Sequence, residues 1–217
     1  MKIKNLTVCY EQLAILEDFS LELPDQGIIC FFAPSGTGKT TLLRVLCGLI
    51  PAQSGTIEGL EEKKFAFVFQ EDRLIPSLSV RDNVGLVLGK EYQALAQEYL
   101  GALGLSGWED SFPDELSGGM QRRAAIARAF AYGKQHEGNV VYLLDEPLKG
   151  LDEKTAEQVM EFIRQKTKGS LTFFITHDKE QARILSDQIL CFEGQPMKLK
   201  EILVGLDKIR AKGELDV

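Results

Sequence analysis

Apolar and polar residues alternate over two stretches near the N-terminus, residues 2–8 and 16–23. A period of two is typical of a strand that buries only one of its faces. Both stretches are therefore predicted to be strands, and we expect them to form an antiparallel region at the start of the fold.

Later in the chain, short apolar runs alternate with segments of helical character. The runs at residues 27–32, 65–69, 140–144 and 171–175 are typical of strands that are buried on both faces. A further strand is predicted at 187–192, where Glu193 and Gly194 signal a turn. The predicted helices lie at about 38–48, 79–88, 90–103, 118–132, 152–168 and 178–186. Strands that alternate with helices in this way predict an α/β fold with a mainly parallel sheet that helices cover on both faces.

Two regions depart from this alternation. Strand-like runs disappear between Pro76 and about Leu116, and we predict an inserted helical subdomain at about 76–117 within a single domain that spans 1–217. Apolar residues recur at helical spacing from 198 to 211, which predicts a last helix with one face on the core. These residues are Leu199, Ile202, Leu203, Leu206 and Ile209.

The composition is that of a soluble globular domain, with 217 residues of which 44% are hydrophobic and 26% charged. The net charge of −7 argues against binding to a nucleic-acid backbone, which needs a basic surface. The four cysteines are widely spaced and form no C-x-x-C pair, so buried, reduced thiols are expected. We find no signal peptide and no apolar run of transmembrane length, which predicts a cytoplasmic protein that a partner recruits to any membrane.

Candidate chemistry begins at residues 33–41, APSGTGKTT, which follow a buried strand and open a helix. In that context the backbone N–H groups of such a loop can surround a phosphate. Gly36 and Gly38 permit the tight loop, Lys39 can reach the β- and γ-phosphates, and Thr40 offers its hydroxyl to Mg²⁺. The alternative is a glycine-rich turn that binds no ligand. The candidate nucleotide-binding residues are Ala33, where the strict pattern has Gly, with Pro34, Ser35, Gly36, Thr37, Gly38, Lys39, Thr40 and Thr41.

Two acids end the buried apolar run VVYLLDEP, residues 140–147. Buried acids are costly without a cationic partner, and in a phosphate-binding sheet that partner is Mg²⁺. We expect Asp145 to orient the metal and Glu146 to act as the base for the attacking water. Two solvated acids in a turn are the alternative.

A second candidate anion site opens a helix at residues 116–123, LSGGMQRR. Ser117 can cap this helix, and Gly118 and Gly119 leave its first N–H groups accessible. Because one nucleotide needs only one phosphate loop, a second anion site suggests that two chains share each ATP. An ordinary capped helix remains the alternative.

In this order, the motifs resemble those of the ATP-binding cassette (ABC) family over nearly the whole chain. Residues 33–41 resemble the Walker A loop, 140–147 the Walker B strand, and 116–121 the signature motif with Met120 in place of the usual Gln. Four further matches are Gln70 of the Q-loop, the D-loop 148–152 with Asp152, the switch His177, and the adenine-stacking Tyr10. Lys149 and Gly150 depart from the small residues usual in the D-loop.

This resemblance implies a P-loop NTPase core with an N-terminal antiparallel β region and an inserted α-helical subdomain. It implies ATP and Mg²⁺ as ligands, and a dimer with a second copy or a paralogue that encloses ATP. Tyr10 would then stack on adenine, and His177 would contact the γ-phosphate beside the catalytic Glu146. The implied metal contacts are Thr40, Gln70 and Asp145, and the residues that clasp the other subunit's ATP are Ser117, Gly118 and Gly119.

Residues 67–84 also resemble importer ATPases of the nitrate, sulfonate and taurine type. This implies membrane permease subunits as partners, an indirect link to a solute-binding protein, and a peripheral position on the inner face of the cell membrane. The expected permease contacts are the apolar loop residues Leu74, Ile75, Pro76 and Leu78, unless these pack inside the helical lobe. Two other functions stay open: a non-transport ABC ATPase, and a nucleotide-binding regulator without hydrolysis.

Overall fold

The computed structural model describes residues 1–10, 13–90 and 93–205. Its strands are β1 (Lys2–Tyr10), β2 (Leu13–Glu22), β3 (Gly27–Phe32), β4 (Ser54–Glu58), β5 (Lys64–Val68), β6 (Val140–Asp145), β7 (Leu171–Thr176), β8 (Gln188–Glu193) and β9 (Lys198–Val204). Its α-helices are α1 (Lys39–Leu46), α2 (Val80–Gly85), α3 (Gln93–Ala102), α4 (Gly118–Gln135), α5 (Glu153–Lys166) and α6 (Lys179–Leu185). The chain forms two compact units, one of Met1–Lys63 with Gly169–Val217 and one of Lys64–Lys168.

In the first unit, β2, β1 and β4 form an antiparallel sheet. The predicted antiparallel pairing of the first two strands is confirmed. The sequence did not predict β4, because its short, mostly exposed run carries no apolar alternation. Gly55 in β4 has a φ of +92°, and a Cβ there would lie 2.5 Å from the Asn5 carbonyl oxygen, so β1 and β4 approach closely only because this residue is glycine.

The same unit contains the parallel strands β7, β3 and β8, in that order. The β3 side chains are buried because both faces of this strand are covered, as the continuous apolar run predicted. Phe31 lies at the centre, with its ring 5.1 Å from that of Phe173 and 5.5 Å from that of Phe192.

The prediction of a helix over 198–211 is wrong for the residues that the structure describes. Residues 198–204 form β9, which pairs antiparallel with β8 after a turn that contains Gly194 at φ +77°. Ile202, Leu203 and Val204 are 44–52% exposed there. Leu206 and Ile209, which supported the helical spacing, lie outside the described residues.

In the second unit, β5 and β6 pair in parallel, and α2 and α3 pack against α4. Aromatic side chains fill the core beneath α4: the Phe130 ring lies 4.7 Å from Tyr142 and 5.2 Å from Phe162, which in turn lies 5.3 Å from Tyr99. The mixed α/β class with a mainly parallel sheet and an antiparallel sheet is confirmed. The limits of the helical subdomain at 76–117 stay a prediction.

All four cysteines are free thiols, but only Cys30 is buried, whereas Cys9, Cys47 and Cys191 are half-buried. The expectation of buried thiols is therefore correct for one of them. Among the described residues, none of the helices combines the length and the apolar character that a membrane crossing requires.

Candidate functional site

The loop between β3 and α1 has the backbone geometry of a tight phosphate-binding turn. Gly36 and Gly38 have φ values of +81° and +108°, in the region that side chains disfavour. At Gly38, a Cβ would also lie 2.4 Å from Cγ2 of Ile15, a contact that no side chain could tolerate unchanged. Gly38 is therefore required both by its dihedral angle and by its neighbour.

Lys39, the first residue of α1, turns its side chain back across this loop. Its ammonium group donates to the carbonyl oxygens of Ala33 and Pro34, both at 2.8 Å, and the residue is only 8% exposed. The Thr37 hydroxyl donates to the same Pro34 oxygen at 2.7 Å. These bonds hold a positive charge within the loop, where an incoming phosphate could exchange with the carbonyl oxygens.

The electrostatics of the helix that follows are also suited to an anion. The first turn of α1 contains no acidic side chain and its N-cap Gly38 makes no side-chain hydrogen bond. By contrast, α2, α5 and α6 have side-chain caps and an acid in the first turn. The partial positive charge at the start of α1 is therefore not neutralised by its own side chains.

His177 lies at the same end of the parallel strands as this loop. Phe32 of β3 and Thr176 of β7 are register partners, so Ala33 and His177 each follow one of two paired residues. His177 is exposed, and the next residue, Asp178, caps α6 through the N–H groups of Glu180 and Gln181. Tyr10, at the end of β1, is 44% exposed.

In the second unit, the Q-loop glutamine and the predicted base meet at the ends of another parallel pair. Val68 of β5 and Leu144 of β6 are register partners, and the Gln70 amide donates to the Glu146 carboxylate at 3.4 Å. Glu146 has a φ of +48°, and its side chain is 15% exposed. A non-glycine residue in this region is strained, and strain of this kind is concentrated at functional sites.

The D-loop lysine contributes a contact that the sequence did not reveal. The Lys149 ammonium lies 3.3 Å from the same Glu146 carboxylate oxygen that accepts from Gln70. Lys149 departs from the small residues usual in the D-loop, and no pattern in the sequence indicated Glu146 as its partner.

Arg122 in α4 is a second group that sequence reasoning missed. It is 3% exposed, and its guanidinium donates to carbonyl oxygens at the end of β6 and in the Q-loop. Its ionic partner is Asp72, at 2.9 Å. Its sequence position five residues after Ser117 gave no signal of this arrangement.

The signature segment has the predicted helix cap. The Ser117 hydroxyl accepts from the Met120 N–H at 3.3 Å, and the first turn of α4 contains no acid. A cavity of about 580 Å³ adjoins it, lined among others by Ser117, Gly118, Gly119, Arg122, Lys149 and Asp152. Asp152 caps α5, and the hydroxyl and N–H of Thr155 hold the pKa of its carboxyl below the usual value.

The predicted metal contacts, Thr40, Gln70 and Asp145, all offer oxygen atoms, the ligand type that Mg²⁺ prefers. Asp145 is 2% exposed at the end of β6. Among the described residues, no three His, Cys, Asp or Glu side chains form a cluster that could hold a metal by themselves. A site with few protein ligands, all of them oxygens, fits Mg²⁺, which in nucleotide sites takes one or two protein ligands together with phosphate and water oxygens.

The apolar loop after Gln70 is partly accessible. Ile75 and Pro76 are exposed, whereas Leu74 and Leu78 are half-buried. Asn83, fully buried, fixes the loop by accepting from the Ile75 N–H at 2.7 Å and by donating to three of its carbonyl oxygens. The Asn83 side chain thus fixes a surface loop on which Ile75 and Pro76 are exposed.

Comparison with known proteins gives a consistent assignment. Residues 16–149 match the ABC transporter family. An aliphatic sulfonates import ATP-binding protein of Pseudomonas savastanoi pv. phaseolicola is 36% identical over 200 residues, which cover 90% of this chain and 82% of that protein. An uncharacterized ABC transporter ATP-binding protein of Methanocaldococcus jannaschii is 34% identical over 236 residues, with coverage of 100% and 86%. Among solved structures, a dimeric ATP-binding cassette in a post-hydrolysis state with ADP and Pi superposes with a TM-score of 0.81 at 27% identity, covering 94% of this chain and 97% of that one.

Proposed function

The chain belongs to the ABC transporter family of ATP-binding proteins, and we propose that it is the ATP-hydrolysing subunit of an importer. The observation that carries the proposal is the contact between the Gln70 amide and the Glu146 carboxylate at the ends of β5 and β6. A carboxylate beside an amide supplies the two groups that an attacking water needs, one to accept its proton and one to orient it.

The roles of the other residues follow from their chemistry. Lys39 exchanges its bonds to loop carbonyls for bonds to the β- and γ-phosphates, and α1 directs its N–H groups at the same charge. Thr40, Gln70 and Asp145 would hold Mg²⁺, which would neutralise charge on the phosphates. Glu146 takes the proton of the water, and His177 orients the γ-phosphate. Tyr10 offers its ring face to adenine.

Catalysis by these residues is tested by two substitutions in the full chain. We expect Lys39→Ala to abolish Mg-ATP hydrolysis, since no other group of the loop supplies its charge. Lys168→Ala, which removes an exposed lysine from the chain segment before β7, should leave the rate within about twofold of wild type. Equal rates for the Lys39→Ala variant and the wild type would contradict the proposed function.

We further propose that two copies of the chain, or this chain and a paralogue, enclose ATP between the phosphate loop of one and Ser117, Gly118 and Gly119 of the other. The first turn of α4, which contains no acidic side chain, and the adjoining cavity support a second phosphate contact. The similar cassette structure is described as dimeric.

The test is nucleotide-dependent dimerisation, measured by light scattering. Glu146→Gln keeps the shape of the base but cannot take a proton, so it should accumulate a dimer with Mg-ATP. Adding Ser117→Arg should abolish that dimer, because a bulky side chain would fill the phosphate contact. A Glu146→Gln dimer that is indifferent to Ser117→Arg would show that the signature helix does not contact the nucleotide.

Transport is the proposed use of the hydrolysis. The Pseudomonas relative is named for the import of aliphatic sulfonates, and the exposed Ile75 and Pro76 on a loop fixed by Asn83 suit a permease contact. We propose that the chain works on the cytoplasmic face of a membrane, bound to permease subunits that a solute-binding protein supplies with an organic anion such as a sulfonate.

A further inference from the structure

Arg122 lies in the second turn of α4, with only 3% of its surface exposed. Burial of a guanidinium is unfavourable unless its N–H groups find acceptors and its charge finds a partner. Here Asp72, itself 23% exposed at the side chain, provides the charge at 2.9 Å. The remaining donors are directed at backbone carbonyl oxygens, so the side chain fixes the conformation of the main chain around it.

These carbonyl oxygens belong to the two segments that carry the hydrolytic pair. Nη2 donates to the Asp145 oxygen at 2.6 Å and to the Glu146 oxygen at 2.7 Å, and Nε donates to the Pro147 oxygen at 3.1 Å. Nη1 donates to the Phe69 oxygen at 2.5 Å and reaches the Gln70 oxygen at 3.5 Å. One planar group therefore ties the end of β6 to the residues that follow β5.

The backbone conformation of Glu146 requires support from contacts such as the Arg122 hydrogen bonds. Its φ of +48° is disfavoured for a residue with a side chain, so the local chain alone would relax from it. Three consecutive carbonyl oxygens turn toward one guanidinium, and this holds the backbone at Glu146 while its carboxylate meets the Gln70 amide at 3.4 Å. Release of the carbonyl oxygens would let the carboxylate move relative to Gln70.

We propose that Arg122 is a positioning residue for hydrolysis. It fixes the position of Glu146 relative to Gln70, and it connects both residues to α4, the helix that begins after Ser117. The inference rests on the proposed role of Glu146 as the base. Because the Arg122 guanidinium is only 3% exposed and is bonded to backbone oxygens and to Asp72, its loss should lower turnover and leave ATP affinity intact.

The test uses Arg122→Lys in the purified full chain. A lysine keeps the charge for Asp72, but its single nitrogen cannot span both sets of carbonyl oxygens. We expect kcat for Mg-ATP to fall by about tenfold or more while the Kd for a fluorescent ATP analogue stays within about twofold.

Arg128→Lys is the matched control, because Arg128 lies on the same helix and, within the described part of the chain, donates only to the backbone oxygens of Asp72 and Arg73 and not to Gln70 or Glu146. Its kcat should stay within about twofold of wild type. A comparable loss in both variants would mean that α4 merely anchors the Q-loop, and would overturn the proposal.

A second measurement separates positioning from general damage to the fold. In a Glu146→Gln background the base is gone, so adding Arg122→Lys should change the residual single-turnover rate by less than about twofold. A further tenfold loss would overturn the proposal. So would full activity of Arg122→Lys in the wild-type background.

Folding is checked by circular dichroism, and Arg122→Gln, which leaves no buried charge on α4, serves as the second variant. If both Arg122 variants are unfolded, Arg122 is an anchor of the fold and the proposal fails. If the wild-type chain itself hydrolyses no ATP, the proposed function fails instead, which distinguishes the two.

Discussion

Gly38→Ala is expected to destabilise the chain substantially more than Gly36→Ala does, although both change a glycine of the same loop. In both variants the alanine must adopt a positive φ, +108° at position 38 and +81° at position 36. This backbone strain lowers the free energy of unfolding by about 1–2 kcal/mol in each. At Gly36 the added Cβ meets no atom within 4 Å, so strain is the whole effect.

At Gly38 a steric term is added to the strain. The new Cβ would lie 2.4 Å from Ile15 Cγ2, over 1 Å closer than the roughly 3.5–4.0 Å of a normal carbon contact. Ile15 is 5% exposed in β2, so its branched side chain can move only by disturbing packed neighbours, which costs about 1–3 kcal/mol. The sum predicts a loss of about 2–5 kcal/mol for Gly38→Ala.

Urea unfolding of the two variants measures the difference directly. A double-mutant cycle with Ile15→Ala identifies its cause, because removal of Cγ2 abolishes the clash while the cavity at Ile15 costs the same in both backgrounds. We expect the double variant to lose about 1–3 kcal/mol less free energy of unfolding than the two single variants lose together. Equal stabilities of the two glycine variants, or an additive cycle, would refute the steric argument.

Three further predictions concern other parts of the chain. Ile75→Asp should abolish co-purification of the full chain with the proposed permease subunits without changing ATP binding, whereas Ser77→Asp in the same exposed loop should not; equal recovery would exclude Ile75 from the interface. Asn83→Ala should lower the free energy of unfolding by about 2–4 kcal/mol in urea titrations, since it leaves the half-buried Ile75 N–H and the carbonyl oxygens of Ile75, Leu78 and Ser79 without their partner, and a loss under about 1 kcal/mol would contradict this. Burial raises the pKa of the Cys30 thiol from 9.0 to about 12, so the unfolded chain loses this proton first and stability should fall between pH 9 and 12; Cys30→Ala should flatten that fall in urea titrations at pH 8–10.5, and an unchanged slope would rule out Cys30 as its source.

The sequence predicted the strands that are buried on both faces and the helices between them, because their patterns are local. The run 27–32 coincides with β3 to the residue, and the apolar run before Asp145 lies within β6. The same locality explains the cap at Ser117, which involves a hydroxyl and an N–H only three residues apart. Where one short segment contains all the interacting groups, its residue types are sufficient for the prediction.

At the C-terminal end of the described chain, the outcome depended on tertiary structure. The spacing of Leu199, Ile202 and Leu203 suits a helix, but β8 offers an unpaired edge, and its hydrogen bonds make residues 198–204 a strand. β4 was missed for a similar reason, since its pairing with β1 and not its own apolar content makes it a strand.

For the site, the sequence determined which groups are present: a lysine and two glycines in a loop, two acids after a buried strand, and a serine at a helix start. Only the folded chain decided which of them meet. Gln70 and Glu146 are 76 residues apart, and Arg122 reaches both of their segments from a third element. Local patterns record the periodicity of single elements, whereas contacts between distant residues depend on how those elements pack, and the sequence carries no local signal of that packing.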